Sequence, residues 1–579
     1  MRVTKLTKVL SSTFGFAAIA IIVIAIVWPD PDPIIITMAS SITKREWNEN
    51  AIAEFNNASK SDSSLKVDGR PVQVEMILEP SPLNPEIKRY YRSPTQVADT
   101  VNGIIEPVIL SPANRPWLAK LKADWRDRYG AEIFTEAAPP LLSTPMVVAM
   151  WESRGIALGC WPEPGPSCTW KNIFQLAKRG DGWGSLGHPN WGDPKFAYAT
   201  VGESDVATLT VVMLCAAGLG VQPVDLRVSQ MEEENGCGDA IGAIEDKKPR
   251  AAPSSPVILT LMEENGPEYL EMVTTYEKEV IAFNRRTAGK VREPLIAAYP
   301  QDGTIVADHP FAILDGTPWV TPEQVEAARI FREFLFTEDQ QEALMETGLR
   351  PADSRVKIAP IDRNNGVNPG AVSVILEVPD VLAIERAVEV WDAVEKQADI
   401  ALVFDRSGSM RGSKINAAAQ GANAFLDSMD NEDWLMWLPF DNNPGQIHQG
   451  INGKVRESLK NIINSEIADG GTSLFDSIGL AYQTLETRRR VRGDSRRYGI
   501  VVLSDGEDTE SNSFSLAQLE AMMRPTERDP TGIQIHAIGI GDDVDENVLT
   551  KLATASQGAY GTPDLENIEA IYRQISKYF

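Results

Sequence analysis

Two mostly apolar runs in the last third of the chain end on carboxylates, and together they call for an α/β sheet. Ala398 to Phe404 (Ala-Asp-Ile-Ala-Leu-Val-Phe) has the composition of a central parallel strand covered on both faces. It runs straight into Asp405-Arg406-Ser407-Gly408-Ser409. Gly499 to Leu503 behaves alike and ends in Ser504-Asp505-Gly506-Glu507-Asp508. Helical patterns start near Lys414 and from Phe475, the latter preceded by the glycine loop Asp469-Gly470-Gly471-Thr472-Ser473. In open α/β sheets ligands collect just beyond the carboxyl ends of the strands. The candidate contacts are therefore Asp405, Ser407 and Ser409 after the first strand, Asp505 after the second, and Thr472 on the loop.

Two carboxylates and three hydroxyls form a hard, all-oxygen set of low charge. That suits Mg2+, which keeps some waters and takes a last ligand from elsewhere, with Mn2+ or Ca2+ as substitutes. Calcium prefers more carboxylates, and zinc prefers the His or Cys ligands that are missing here.

These residues resemble the metal-ion-dependent adhesion site of the von Willebrand factor type A family, Asp-x-Ser-x-Ser with a distant Thr and a distant Asp. Asp405, Ser407, Ser409, Thr472 and Asp505 fill the five places. The resemblance implies a Rossmann-like domain over residues 398–579. It further implies that the serines and the threonine ligate metal, that the aspartates act often through water, and that a partner protein's Asp or Glu completes the coordination.

Enzyme readings find little support. Gly408-Ser409-Met410-Arg411-Gly412-Ser413-Lys414 lacks the spacing and order of a phosphate-binding P-loop. A nucleophilic serine needs a base, yet His188, His309, His448 and His536 lie far apart and carry no motif. The expectation is a binding protein, not an enzyme. A formal charge of -26 argues against nucleic acid as partner.

The start of the chain points to a membrane. Arg2, Lys5 and Lys8 precede an uncharged run from Val9 to Trp28, and such a helix spans the bilayer core of about 30 Å. The run closes without a small-x-small cleavage pair, and Trp28 suits the interface. Residues 1–8 are expected in the cytoplasm, 9–28 as a single-pass signal anchor, and everything beyond on the extracytoplasmic side. The four cysteines fit that compartment: local pairing joins Cys160 with Cys168 and Cys215 with Cys237.

After the stiff spacer Pro29-Asp30-Pro31-Asp32-Pro33, strand, polar turn and helix recur for some three hundred residues. Ile34–Met38, Val72–Leu78, Val108–Leu110 and Met146–Trp151 read as strands, and Arg45–Asn56 and Pro322–Phe336 as helices. The alternation implies parallel sheets. Residues 352–379, rich in Pro, Asn, Gly and Asp, read as a linker or a peripheral loop, followed by a helix from about Leu382 to Gln397. The resulting division is a first module at 29–355, linker and helix at 356–397, and the second module at 398–579.

Three stretches of the first module resemble periplasmic solute-binding proteins of the molybdate and sulfate type. They are Met38-Ala39-Ser40-Ser41-Ile42-Thr43, Tyr299-Pro300-Gln301-Asp302-Gly303-Thr304 with Asp308-His309-Pro310, and the helical stretch from Glu323 to Pro351. The resemblance implies a bilobal fold in which hydroxyls and helix N-termini hold a small solute, good physics for any anion. Ser40, Ser41, Ser111 and Ser204 are the candidate contacts, although each also reads as a helix cap. The long insertion from about Leu158 to Asp193 departs from the smallest such proteins and leaves the solute's class open. The expected protein binds a partner through its metal site and a small solute between its lobes. The alternatives are a scaffold that has lost solute binding and a transport-associated receptor or sensor.

Overall fold

The structure, a computed structural model, describes residues 32–579 except 81–87, 203, 234, 249–251, 253, 353–359, 373, 494–495, 506, 525–531, 542–543, 563–567, 577 and 579. The anchor expected at residues 9–28 lies outside the described residues. Within them, no helix is long and apolar enough to cross a membrane.

The first lobe grows from Ile34–Ser40, whose alternate residues Ile34, Ile36 and Met38 are buried on one face. It lies between Arg70–Met76 and Ile109–Ser111, parallel to both, and the register sets Ser40 beside Ser111. Helix Arg45–Ala58 buries Trp47, Ala51, Ile52 and Phe55, a helical repeat that packs with Phe331 of helix Pro322–Leu335. That second helix starts at a capping box between Thr321 and Gln324.

The second lobe departs from the parallel expectation. Its central strand, Leu142–Trp151, pairs antiparallel with Met272–Tyr276, Leu295–Ala298, Thr304–Ala307 and Arg350–Pro351. Helix Asp205–Leu219 is apolar on all sides and lies inside the lobe. A Cβ at Gly218 would sit 2.1 Å from the Gly236 carbonyl oxygen, so this helix meets Gly236–Glu245 backbone to backbone. The disulfide Cys215–Cys237 ties the same two helices, and Cys160–Cys168 closes the loop before helix Trp170–Lys178. Both local pairings are as expected.

The linker expected at 356–397 is not free. Ile361, Val367 and Leu376 are buried in the second lobe's core, and Ile375–Leu376 extends its sheet. Helix Val381–Val394, capped by Asp380, buries Ala383, Ile384, Ala387 and Trp391 in that core. Few but well-placed apolar residues outweigh the loop-like composition.

The last module is a six-stranded sheet in the order His448–Ile451, Trp434–Phe440, Ala398–Asp405, Arg497–Ser504, Gln534–Gly539, Tyr560–Gly561. Every pairing is parallel except that of the His448–Ile451 edge. Helices cover both faces. Ser413–Ser428 and Ile568–Ser576 lie on one, and Leu474–Arg492 and Glu546–Ala555 on the other. The two modules meet at Arg497, the first residue of its strand. Its guanidinium pairs with Glu245 of the second lobe (3.0 Å) and with Glu395 at the end of the linking helix. Glu245 also accepts from Tyr198 (2.5 Å), Trp391 (3.0 Å) and Lys248 (3.2 Å).

Candidate metal centre and interlobe cleft

Ala398–Asp405 is buried along its whole length, so it carries its last residue to the top of the sheet with little freedom. The Asp405 carboxylate is fixed there from two sides. Ser407 N–H donates to Oδ1 (2.8 Å) and the Ser504 hydroxyl donates to Oδ2 (2.5 Å). The Ser407 and Ser409 hydroxyls lie 2.9 Å apart, Ser407 buried and Ser409 exposed at the mouth. The glycine loop is stitched beside them by Gly408 N–H to the Gly470 carbonyl (2.9 Å). Thr472 is held by its carbonyl, which accepts from Thr509 N–H (2.9 Å) and Glu510 N–H (3.1 Å). Gly470 adopts φ +86°, a left-handed conformation that suits glycine.

Burial is the chief cause that pushes Asp405 up to about 6, and the neighbouring Asp505 carboxylate adds to it. Asp505 is 5% exposed, and its Oδ1 has no hydrogen-bond partner among the described residues. Ser473, next to Thr472, likewise keeps a buried hydroxyl without a partner. A buried carboxylate oxygen left unpartnered is costly unless something cationic satisfies it. Among the described residues no three His, Cys, Asp or Glu side chains cluster as metal ligands. The candidate donors here are two carboxylates and three hydroxyls, a hard set. The residues present fit a small oxygen-seeking divalent cation.

Ser40, Ser41 and Ser111 lie together at the ends of the first lobe's strands, and all three are buried. Ser40 accepts from Asn48 (2.8 Å). Lys44 folds its ammonium over the turn, onto Ser41 Oγ (3.1 Å), the Ser111 carbonyl (2.9 Å) and His309 Nδ1 (3.3 Å). Its side chain is fully buried, and burial lowers its pKa to about 7 against the pull of Asp205 and Asp308. The turn that reads as an anion cradle thus holds the chain's own ammonium. Ser204 caps helix Asp205–Leu219 through Ala207 N–H (3.4 Å).

A cavity of about 390 Å³ opens between the lobes, within the range of small-molecule sites. Tyr91 and Arg92 line it from the first lobe, and Ser204, Asp205, Tyr276 and Lys278 from the second. Asp205 reaches across the divide, where Ser93 donates to its Oδ2 (3.0 Å). Burial pushes its carboxyl up to about 6, offset in part by Ser93 and Trp117.

Comparison with known proteins matches both modules. The model of the bacterial extracellular solute-binding protein family covers residues 36–350, more than half of the chain. The chain belongs to this family. A von Willebrand factor type A domain follows at residues 399–574. Among curated proteins, an uncharacterized protein of Mycobacterium tuberculosis is 22% identical over 431 residues, 70% of this chain and 60% of that protein. Another, of Synechocystis sp., is 23% identical over 161 residues, 28% of this chain and 36% of that one. The matches thus span less than two thirds of those relatives' own length. Among solved structures, the sulfate-binding protein SubI from M. tuberculosis aligns with 61% of this chain and 96% of its own, at 16% identity and a TM-score of 0.36.

Within the solute-binding module, reasoning from sequence missed Lys44, Ser93, Asp205, Tyr276 and His309. One local signal was available, because Asp205 directly follows the capping Ser204. In the type A domain it missed Ser504 and Thr509, which hold Asp405 and Thr472 in place.

Proposed function

We propose that this chain is a two-module binding protein of the extracytoplasmic side, held to a membrane by residues 9–28. In this reading the type A domain engages a partner protein through a cation at Asp405, Ser407, Ser409, Thr472 and Asp505. The unpartnered, buried Oδ1 of Asp505 beside the paired Ser407 and Ser409 hydroxyls supports it most directly. When bound, Mg2+ supplies a hard electrophilic centre with room for a carboxylate from the partner. The chain's own residues keep that centre weakly charged and open: Ser504 and the Ser407 amide restrain Asp405, and Ser409 stays at the surface. Binding without catalysis is the expected outcome.

Mg2+ titration of the full chain, followed by thermal unfolding, tests the reading. At a hundredfold excess over its Kd the ion adds about 2.7 kcal/mol, roughly 5–10 °C for a domain of this size. Asp505→Ala is expected to abolish that rise while leaving the metal-free midpoint within about 2 °C of wild type, since it also removes a buried, unsatisfied oxygen. An undiminished Mg2+ response in the variant would sink the metal assignment.

The solute-binding module adds a small ligand between its lobes, which makes the chain a receptor with an adhesive output. One observation favours the scaffold alternative: Lys44 fills the turn where an anion would sit.

A further inference from the structure

We infer that the interlobe cavity takes a neutral polyhydroxylated solute, a sugar or polyol that donates a hydrogen bond to Asp205, and that it rejects fully ionised oxyanions. The inference rests on reading the first module as a solute receptor and narrows the ligand's class.

Asp205 lines the cavity, and its Oδ1 is shielded from solvent with no hydrogen-bond partner among the described residues. Tyr276 lines the same wall, is 5% exposed, and its hydroxyl also has none. Behind it His309, fully buried, has an unpartnered Nε2, and the two rings meet edge to face at 6.4 Å. Asp205 and Tyr276, the two that line the cavity, are satisfied together by a ligand that both donates and accepts. A carboxylate oxygen only accepts, so whatever faces Oδ1 must bring a proton.

Charge separates the ligand classes. The nearby cations are already engaged: Arg92 with Glu79 (3.6 Å), Lys278 with Glu279 (3.3 Å), Arg45 with Glu49 (2.8 Å) and Arg115 with Asp308 (2.6 Å). Lys44 spends its donors on Ser41, the Ser111 carbonyl and His309. Asp205 is held by Ser93 and steadied by Trp117, with Lys44 and Arg92 near enough to act on its charge, yet it forms no ion pair among the described residues. A dianion such as sulfate or molybdate offers only acceptors, and it would set negative oxygens against that carboxylate in a low-dielectric cleft. Hydroxyl groups meet the same oxygen favourably, and Tyr91 and Tyr276 add aromatic carbon to the lining, which suits the C–H groups of a sugar.

The test is calorimetric titration of the full chain with glucose, maltose, trehalose and myo-inositol, set against sulfate and molybdate. At least one polyol is expected to bind and both oxyanions to fail. Asp205→Asn should weaken that polyol on the order of 10- to 100-fold, the worth of a hydrogen bond to a charged group. A thermal unfolding profile unchanged from wild type shows that the variant's solute-binding module is still folded. Binding of sulfate or molybdate without any polyol overturns the inference and leaves the receptor reading intact. Silence from all six probes overturns both, and polyol binding indifferent to Asp205→Asn overturns the role given to that carboxylate.

Discussion

Replacing Arg497 with alanine is expected to destabilise the protein by about 3 kcal/mol, the low end of the cost of breaking a buried ion pair. The guanidinium is nearly buried and joins Glu245 of the solute-binding module to Glu395 at the entry of the type A domain. Its loss strands two carboxylates in a site that water reaches poorly. Lys248 keeps a contact with Glu245 at 3.2 Å, which argues for the low end of the range. Arg497→Lys should recover little, because one ammonium cannot reach two carboxylates with a planar fork. Urea unfolding at neutral pH measures the effect, and a loss below about 0.5 kcal/mol would place the junction among weak surface pairs.

The same junction predicts an acid response. Burial tends to raise Glu245, but Lys248 and Arg497 outweigh it and hold the carboxyl below its ordinary value. A depressed folded pKa gives stability that is present above the unfolded value, about 4.3, and lost as pH falls through the folded one. Wild type should therefore lose this contribution only below about pH 4. Burial raises Glu395 against the pull of Arg497, so its contribution runs the other way, and the shallower acid limb expected of Arg497→Ala belongs to the part carried by Glu245.

The second large effect is expected from the disulfide between Cys215 and Cys237. Chain-entropy arithmetic for its 22-residue separation gives about 3.4 kcal/mol, against about 2.5 kcal/mol for the 8-residue separation of Cys160 and Cys168. Both sulfurs of the longer loop belong to fully buried residues. The Cys215→Ala, Cys237→Ala pair is the cleaner variant, since serine would bury hydroxyls without partners. The helices still meet at Gly218 and Gly236, so the variant should fold and unfold earlier in urea. A loss under about 1 kcal/mol would mean that their packing already constrains the unfolded chain there.

Helix Arg45–Ala58 was legible almost to its ends because Trp47, Ala51, Ile52 and Phe55 recur at helical spacing. The five metal-site candidates were legible for a related reason. Each sits at a strand end or in a glycine loop, so local pattern places it. The sheet direction of the second lobe was not legible, because alternation within a strand is blind to its partner's direction. The cleft was hidden more deeply. Ser93 meets Asp205 across 112 residues and Lys44 meets His309 across 265, contacts that no local spacing announces. The segment from Ile361 to Leu376 looked like linker because its buried residues are few and irregularly spaced.

The central claim is that a divalent cation binds beyond the strand ending at Asp405, among hydroxyls rather than carboxylates. Crystals of the full chain soaked in Mn2+ and measured for anomalous scattering test it most directly. One strong peak is expected within bonding distance of Ser407 and Ser409 and facing Thr472, with Asp405 and Asp505 around it. No peak there, or a strong peak only at an acidic surface elsewhere, would contradict it.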